Sequence, residues 1–167
     1  MRVLGIDPGL RNLGWGVIDV VDTTYHYIAS GTICVPTTLA MAQRLGVIFT
    51  ELSGVIRNYR PSQAAVEEIF VNMNPASTLK LGMARGVALM VPAVHDIPVS
   101  EYTANHIKKA IVGSGHASKD QINTMVRHFL PRAVNADGVL APDAADALAV
   151  ALCHVHALSF QKKAYGS

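Results

Sequence analysis

The first third of the chain alternates apolar residues with glycine and polar residues, and this pattern limits the possible folds more than any other feature. Three such stretches cover residues 2–6, 13–20 and 25–33. Alternation with a period of two is typical of half-buried strands. The turn-forming pairs Pro8-Gly9 and Asp22-Thr23 separate the stretches. The sequence therefore predicts a meander of three strands at the start of the fold.

Helices and strands are expected to alternate in the rest of the chain. Apolar residues spaced three and four apart between Met41 and Ile56 predict a helix, capped by Thr37 or Thr38 and ended by Pro61. We further expect strands at residues 64–67 and 97–99, and helices at 78–90, 100–111, from 118 onward, and from 142 to about 156. This order predicts an α/β fold, a five-stranded mixed sheet flanked by helices.

Length and composition favour one domain. The 167 residues are 50% apolar and 16% charged, which suffices for one hydrophobic core without metals or disulfides as supports. We expect this domain to cover residues 1–160, with a short C-terminal tail at 161–167. Cys34 and Cys153 lie far apart and neither has a C-x-x-C partner, which argues against a disulfide framework and a zinc site. A reducing, cytoplasmic compartment is the corresponding prediction.

Several partner classes find no support in the sequence. The N-terminus has no apolar region of the signal-peptide kind, and no uncharged apolar run has the length of a bilayer span, so we expect no membrane partner. The stretch 113–119 lacks the spacing of a phosphate-binding loop, so we expect no nucleotide cofactor. A net charge of +2 decides nothing about nucleic acid, because a binding face is argued from clustering.

Four carboxylates stand where the pattern places them close to the core. Asp7 ends the first apolar strand, and Glu67 ends the strand that begins at residue 64; strand ends are where sites collect in open sheets. Asp143 and Asp146 are three residues apart on one helix, so they share a face at a spacing of roughly 5–6 Å. Neighbouring strands would bring Asp7 and Glu67 together, and the helical pair can serve as one arm of a metal site.

Such a cluster predicts a metal site. Four convergent carboxylates could not all ionise without cations, and ligands that are only oxygen suit Mg²⁺, with Mn²⁺ as a substitute, better than zinc. Two ions about 4 Å apart would activate water and stabilise the leaving oxygen of a phosphodiester. Taken singly, Asp7 before Pro-Gly could be only a turn former, and Asp143 only a residue of the first helical turn. Their joint placement favours the site.

Four motifs in series resemble the bacterial RuvC Holliday junction resolvases: Leu4-Gly5-Ile6-Asp7-Pro8-Gly9, Val66-Glu67-Glu68-Ile69-Phe70, Leu79-Lys80-Leu81-Gly82-Met83-Ala84-Arg85-Gly86 and Asp143-Ala144-Ala145-Asp146-Ala147-Leu148-Ala149. The resemblance implies an RNase H-like fold and a homodimeric, structure-selective endonuclease. Such an enzyme would resolve four-way DNA junctions in recombination and repair by symmetric, metal-dependent hydrolysis on two opposed strands. It also implies a branch-migration complex of the RuvA/RuvB type as partner.

By the same resemblance, Asp7, Glu67, Asp143 and Asp146 are the metal-binding catalytic acids. Lys108 and Lys119 match lysines of the catalytic surroundings, where each could hold a phosphate and offset transition-state charge. A solvated helix face is the alternative for a lysine, and Lys119 is favoured because it follows a glycine-rich loop. Glu68 is not needed as a ligand and is assigned to solvent or a secondary role.

Further DNA contacts follow from the same comparison. Phe70 matches an aromatic residue that stacks on an unpaired base near the crossover, although a core position is an alternative. Lys80 and Arg85 are expected to contact phosphates. The apolar residues of their helix form either the dimer contact or the monomer core; these are Leu81, Val87, Leu89 and Met90.

Three other functions share some of these sequence features. A nuclease for RNA–DNA hybrids or pre-ribosomal RNA would use the same acids, and only the motifs between Phe70 and Gly86 separate it from a resolvase. A sugar kinase or actin-like ATPase also opens with a strand that ends in Asp and Gly, but it needs two such domains. A protein that only binds junctions would need none of the four acids.

Overall fold

The computed structural model describes the backbone of residues 1–68, 74–134 and 139–165, and the side chains of those residues as far as 160. Within them, one sheet contains the strands β1 (Arg2–Asp7), β2 (Asn12–Val21), β3 (Thr24–Cys34), β4 (Gln63–Glu68) and β5 (Val99–Thr103). The helices are α1 (Met41–Tyr59), α2 (Pro75–Val94), α3 (Ala104–Val112), α4 (Lys119–Phe129) and α5 (Pro142–Tyr165), with a 3-10 turn at Pro131–Ala133.

The strand order is β3-β2-β1-β4-β5. The first three strands are antiparallel neighbours, so the expected meander is confirmed, whereas β4 pairs parallel with β1 and β5 parallel with β4. Ile6 pairs with Val66 across β1 and β4. Asp7 and Glu67, the next residues along the two strands, therefore lie side by side where β1 and β4 end. The α/β class with a mixed sheet flanked by helices is confirmed.

Alternation along the strands divides the core into two layers. Leu4, Ile6 and Val66 belong to the cluster that packs under α1 and α2. Val3 and Ala65 belong to the other cluster, together with residues of α3, α4 and α5. Because alternate residues of a strand share a face, Asp7 and Glu67 extend toward α5 and α3 rather than toward α1.

The helix α5 lies unusually close to the sheet because glycines face it. A Cβ built on Gly5 would stand 2.1 Å from the carbonyl oxygen of Ala147.

The stretch Pro142–Phe160 of α5 has the length and the mean hydropathy, 1.2, of a possible membrane span, but 61% of it is buried inside the protein. That burial is what a central core helix requires, and the small residues of the sequence permit it.

The boundary between β5 and α3 differs from the expected one. We expected a strand at residues 97–99 and a helix from Ser100, but residues 99–103 form β5 and pair in parallel with β4. The helix begins only at Ala104, because the side chain of Thr103 accepts a hydrogen bond from the His106 backbone N–H at 3.2 Å. Partnership with β4, a contact remote in sequence, outweighed the helical preference.

Two other helix ends also differ. The residue that caps α1 is Ala40 rather than Thr37 or Thr38, and the side chain of Gln43 accepts from its backbone N–H at 3.1 Å. At the other end of the chain, α5 runs to Tyr165 instead of ending near His156, so it continues into the segment expected to be a tail. Both cysteines are free; Cys34 is exposed and Cys153 is buried.

Candidate active site

A cleft of about 270 Å³ opens at the end of the sheet where β1 and β4 terminate. Its charged lining consists of Asp7, Glu67, Asp146, Lys108 and Lys119. The remaining lining residues are apolar and come from α3, α4 and α5: Ala104, Ile107, Ile122 and Ala149. The structure thus brings three of the four expected acids and both expected lysines to one cleft.

The fourth acid, Asp143, is not part of the cleft lining, but its negative charge acts on Asp7. It is the second residue of α5, directly after Pro142, and it is half-buried. A Cβ on Gly14 would lie 2.1 Å from the Asp143 carbonyl oxygen, and Gly14 is the register partner of Asp7. The absence of a side chain on Gly14 is therefore what allows the start of α5 to reach Asp7.

Burial and crowding change the acidity of the two strand carboxylates. Burial, helped by the negative charges of Glu67, Asp146 and Asp143 and opposed by Lys119, raises the pKa of Asp7 to about 7. Burial and the charge of Asp146 also raise the pKa of Glu67, while Lys119 and Lys108 lower it. These shifts show that the acids repel one another, so the cluster favours protons or cations.

The lysines enter the cleft from different helices. Lys119 is the first residue of α4, whose start is fixed by the expected capping box: Ser118 accepts from the Gln121 backbone N–H, and Gln121 accepts from the Ser118 N–H. Its Nζ lies 2.9 Å from Asp146 Oδ2, and this hydrogen bond raises the pKa of Lys119. Lys108 reaches the same cleft from α3 and is half-buried.

The donor set fits a hard divalent cation, because all four acids offer carboxylate oxygen and the buried ones carry charge that calls for neutralisation. As the side chains stand, no three Asp, Glu, His or Cys residues in the described part of the chain are gathered tightly enough to hold an ion. One of the four, Asp146, is engaged by Lys119. Side-chain rotation would have to complete the coordination.

The other residues expected to contact DNA lie in different surroundings. Phe70 lies outside the described residues. Lys80 is exposed on α2. Arg85, on the same helix, forms an ion pair with Glu101 of β5, so its guanidinium already has a carboxylate partner within the fold. Phosphate contact by Lys80 or Arg85 stays a prediction, and the acid beside Arg85 weakens it for that residue.

One residue beside the site was missed by sequence reasoning. Tyr102 on β5 is the register partner of Glu67, and its hydroxyl lies 2.9 Å from Nδ1 of His154, a buried histidine of α5. This hydrogen bond joins the strand beside Glu67 to the helix that carries Asp146. Tyr102 was missed because residues 100–103 were assigned to a helix.

The apolar face of α2 is divided between core and surface. Val87 and Leu89 pack against the core, and Leu81 is half-buried. The large apolar side chains left exposed form one stripe along the helix, here called the α2 stripe: Leu79, Met83, Met90 and Val94, at 65%, 39%, 46% and 60% exposure. Of the residues weighed as dimer contact or core, Met90 alone is exposed.

Comparison with known proteins decides the family. The family model described as "Crossover junction endodeoxyribonuclease RuvC" matches residues 3–154. The chain belongs to the RuvC family. This is a family of metal-dependent nucleases, and three of the acids in the motifs that resemble it, Asp7, Glu67 and Asp146, line the cleft.

Similarity to individual RuvC proteins extends over nearly the whole chain. The crossover junction endodeoxyribonuclease RuvC of Paramagnetospirillum magneticum is 52% identical over 163 residues, which cover 98% of this chain and 96% of the relative. That of Bordetella pertussis is 54% identical over 156 residues, 93% of this chain and 84% of the relative. The solved structure of T. thermophilus RuvC in complex with Holliday junction substrate superposes with a TM-score of 0.87 at 31% identity, with 96% of each chain covered. The RNase H-like fold implied by the resemblance is confirmed.

Proposed function

We propose that this RuvC-family chain is a structure-selective endonuclease that resolves Holliday junctions in recombination and repair. The observation that carries the proposal is the single cleft that gathers Asp7, Glu67, Asp146 and two lysines at the ends of β1 and β4. Support comes from the relatives named as crossover junction endodeoxyribonucleases and from the T. thermophilus RuvC whose structure contains a Holliday junction.

We propose further that Asp7, Glu67, Asp143 and Asp146 hold two Mg²⁺ ions, for which Mn²⁺ substitutes. When bound, such ions supply an activated water and neutralise charge on the leaving oxygen. The carboxylates contribute their oxygens and must give up the proton that burial favours on Asp7. The apolar residues around them, including Ile107 and Ile122, limit the water around the cluster and strengthen its electrostatic interactions.

The two lysines then bind the phosphate backbone of the strand to be cut. Lys119 suits this role because its side chain is 84% exposed and can reach outward from the cleft. Lys108 is half-buried and lines the same cleft, and its charge, like that of Lys119, lowers the pKa of Glu67. Lys80, exposed on α2, would add a phosphate contact farther from the reacting bond, and Phe70 would stack on an unpaired base.

Two copies of the chain would act together. Cutting two opposed strands of a four-way junction symmetrically requires two sites related by a two-fold axis, and an isologous dimer provides them. The α2 stripe supports a second copy as its occupant, because four large apolar side chains exposed on one helix face exceed what a water-facing helix needs. A branch-migration complex of the RuvA/RuvB type would be a further partner. An exposed free thiol at Cys34 suits a reducing cytoplasm.

The decisive test compares substrates of one sequence. The protein is incubated with a labelled mobile four-way junction, with linear duplex and with an RNA–DNA hybrid, each in Mg²⁺, Mn²⁺ or chelator. We expect paired nicks at symmetric positions on opposed strands of the junction, in either metal and not in chelator. Cleavage of the hybrid instead would retain a nuclease but overturn the junction substrate, and binding without cleavage in any metal would overturn the catalytic role.

The acidity of Asp7 predicts a pH dependence. Since burial and the neighbouring carboxylates raise its pKa to about 7, the metal-free folded protein keeps this proton up to near neutral pH and must release it when metal binds. Metal affinity should therefore fall by up to about tenfold per pH unit below 7 and level off above about 8. Calorimetric Mn²⁺ titration between pH 6 and 8.5 measures this, and affinity that stays constant over the range would contradict it.

A further inference from the structure

We infer that Lys119 is an internal counter-cation that competes with the divalent metal for Asp146, and that metal binding releases its ammonium group toward the DNA phosphate. The inference rests on the proposed function only in taking the four acids as the metal site. It assigns Lys119 a role before DNA arrives, in the protein that has bound neither metal nor substrate.

Lys119 and Asp146 are in direct contact, but their side chains differ in solvent exposure. Lys119 Nζ lies 2.9 Å from Asp146 Oδ2, with 84% of the lysine side chain exposed but only 24% of the aspartate side chain. A long, solvent-exposed lysine loses rotamer freedom when it is held against a partner. Here the Lys119 side chain extends toward the acids. The negative charges of Asp146, Asp7 and Glu67 attract its ammonium group and raise its pKa.

The backbone of Lys119 is fixed, so only its side chain needs to move. The preceding Ser118 and the following Gln121 form a reciprocal capping box that holds the start of α4. The exchange of partners therefore requires rotation about side-chain bonds and no rearrangement of α4. Because a carboxylate oxygen that accepts from an ammonium at this distance cannot also face a metal ion without like-charge repulsion, each cation weakens the binding of the other at Asp146.

Lys108 provides a comparison within the same cleft. It lines the cleft with Lys119, yet it forms no ion pair in the part of the chain that the structure describes. Its charge acts on Glu67 through space and less than that of Lys119 does. Removing either lysine deletes one positive charge near the acids, but only the loss of Lys119 frees a carboxylate oxygen.

The test measures metal binding without DNA. Mn²⁺ is titrated into the wild-type protein, Lys119→Met, Lys119→Arg and Lys108→Met at pH 8 and low ionic strength, with free Mn²⁺ read by electron paramagnetic resonance. We expect Lys119→Met to bind Mn²⁺ about 1.5- to fivefold more tightly than wild type, the range of an exposed ion pair, with Lys119→Arg unchanged and Lys108→Met changed less. The difference should shrink in 0.5 M salt because exposed pairs are screened.

Asp146→Asn separates failure of this inference from failure of the proposed function. If Asp146→Asn weakens Mn²⁺ binding but Lys119→Met binds as wild type does or more weakly, the counter-cation role is overturned and the metal site stands. If Asp146→Asn binds Mn²⁺ as wild type does, Asp146 is not a ligand, and both fall. Thermal unfolding of each variant checks that the fold is intact, as is expected for the Lys119 variants because that side chain is 84% exposed.

Discussion

Replacement of Asp7 by Asn is expected to slow junction cleavage by on the order of 10³-fold or more, as for other residues that act as a catalytic unit, while junction binding is retained. Asn keeps the shape of the side chain but removes the carboxylate that lies half-buried at the end of β1 against Glu67, Asp146 and Asp143. The cations proposed to bind the DNA backbone, among them Lys119 and Lys80, are unchanged in this variant. Single-turnover cleavage and gel-shift binding, measured on the same junction, separate the two effects.

The same substitution should not damage the fold. Because the pKa of Asp7 is raised to about 7, its ionised form costs stability above that pH, and a neutral Asn removes this cost. The melting temperature of metal-free Asp7→Asn at pH 8 should equal or exceed that of wild type. Asp22→Asn is the matched control, since Asp22 is an exposed turn residue with φ 54°, a conformation that Asn tolerates. Wild-type cleavage by Asp7→Asn would show that Asp7 is not a ligand.

Gly5→Ala is expected to lower the free energy of unfolding by about 3 kcal/mol, the upper part of the range for overpacked cores. The added Cβ would stand 2.1 Å from the carbonyl oxygen of Ala147 and 2.6 Å from the backbone nitrogen of Ala151. Both contacts are backbone atoms of α5, so no side chain can rotate away and the helix itself must shift. Since α5 carries Asp143 and Asp146, metal affinity should fall together with stability.

Urea unfolding in chelator, extrapolated to zero denaturant, measures the loss. The control is Gly46→Ala on the exposed face of α1, where an added Cβ meets nothing within 4 Å. That change should leave stability equal or raise it by about 0.5–1 kcal/mol, because Ala is the better helix former. Equal stability of Gly5→Ala and wild type would mean that α5 does not lie against β1 as described.

Much of the fold followed from patterns that are local in sequence. Alternation predicted β1, β2 and β3 to within two residues at each end, and the Ser118 and Gln121 capping box marked the start of α4. The four acids were found because their positions, two at strand ends and two on one helical face, can be read before any contact is known. The motifs that contain them also gave the family.

Contacts between residues remote in sequence could not be read in this way. Residues 100–103 became strand rather than helix because β4 offers them hydrogen-bonding partners. Arg85, expected at a phosphate, is paired with Glu101, 16 residues away. In the first case a neighbouring strand decided the secondary structure, and in the second a residue of β5 decided the ion-pair partner of Arg85.

The sequence by itself determined which residues could carry the chemistry: the acids, the lysines, and the glycines and alanines that permit close packing of α5. Only the tertiary structure decided the acidity of these groups and their ion-pair partners. The pKa of Asp7, raised to about 7, and the pairing of Lys119 with Asp146 both depend on distances and burial created when α4 and α5 pack on the sheet. Electrostatic energies depend on separation and on the surrounding dielectric, and neither quantity exists until the chain has folded.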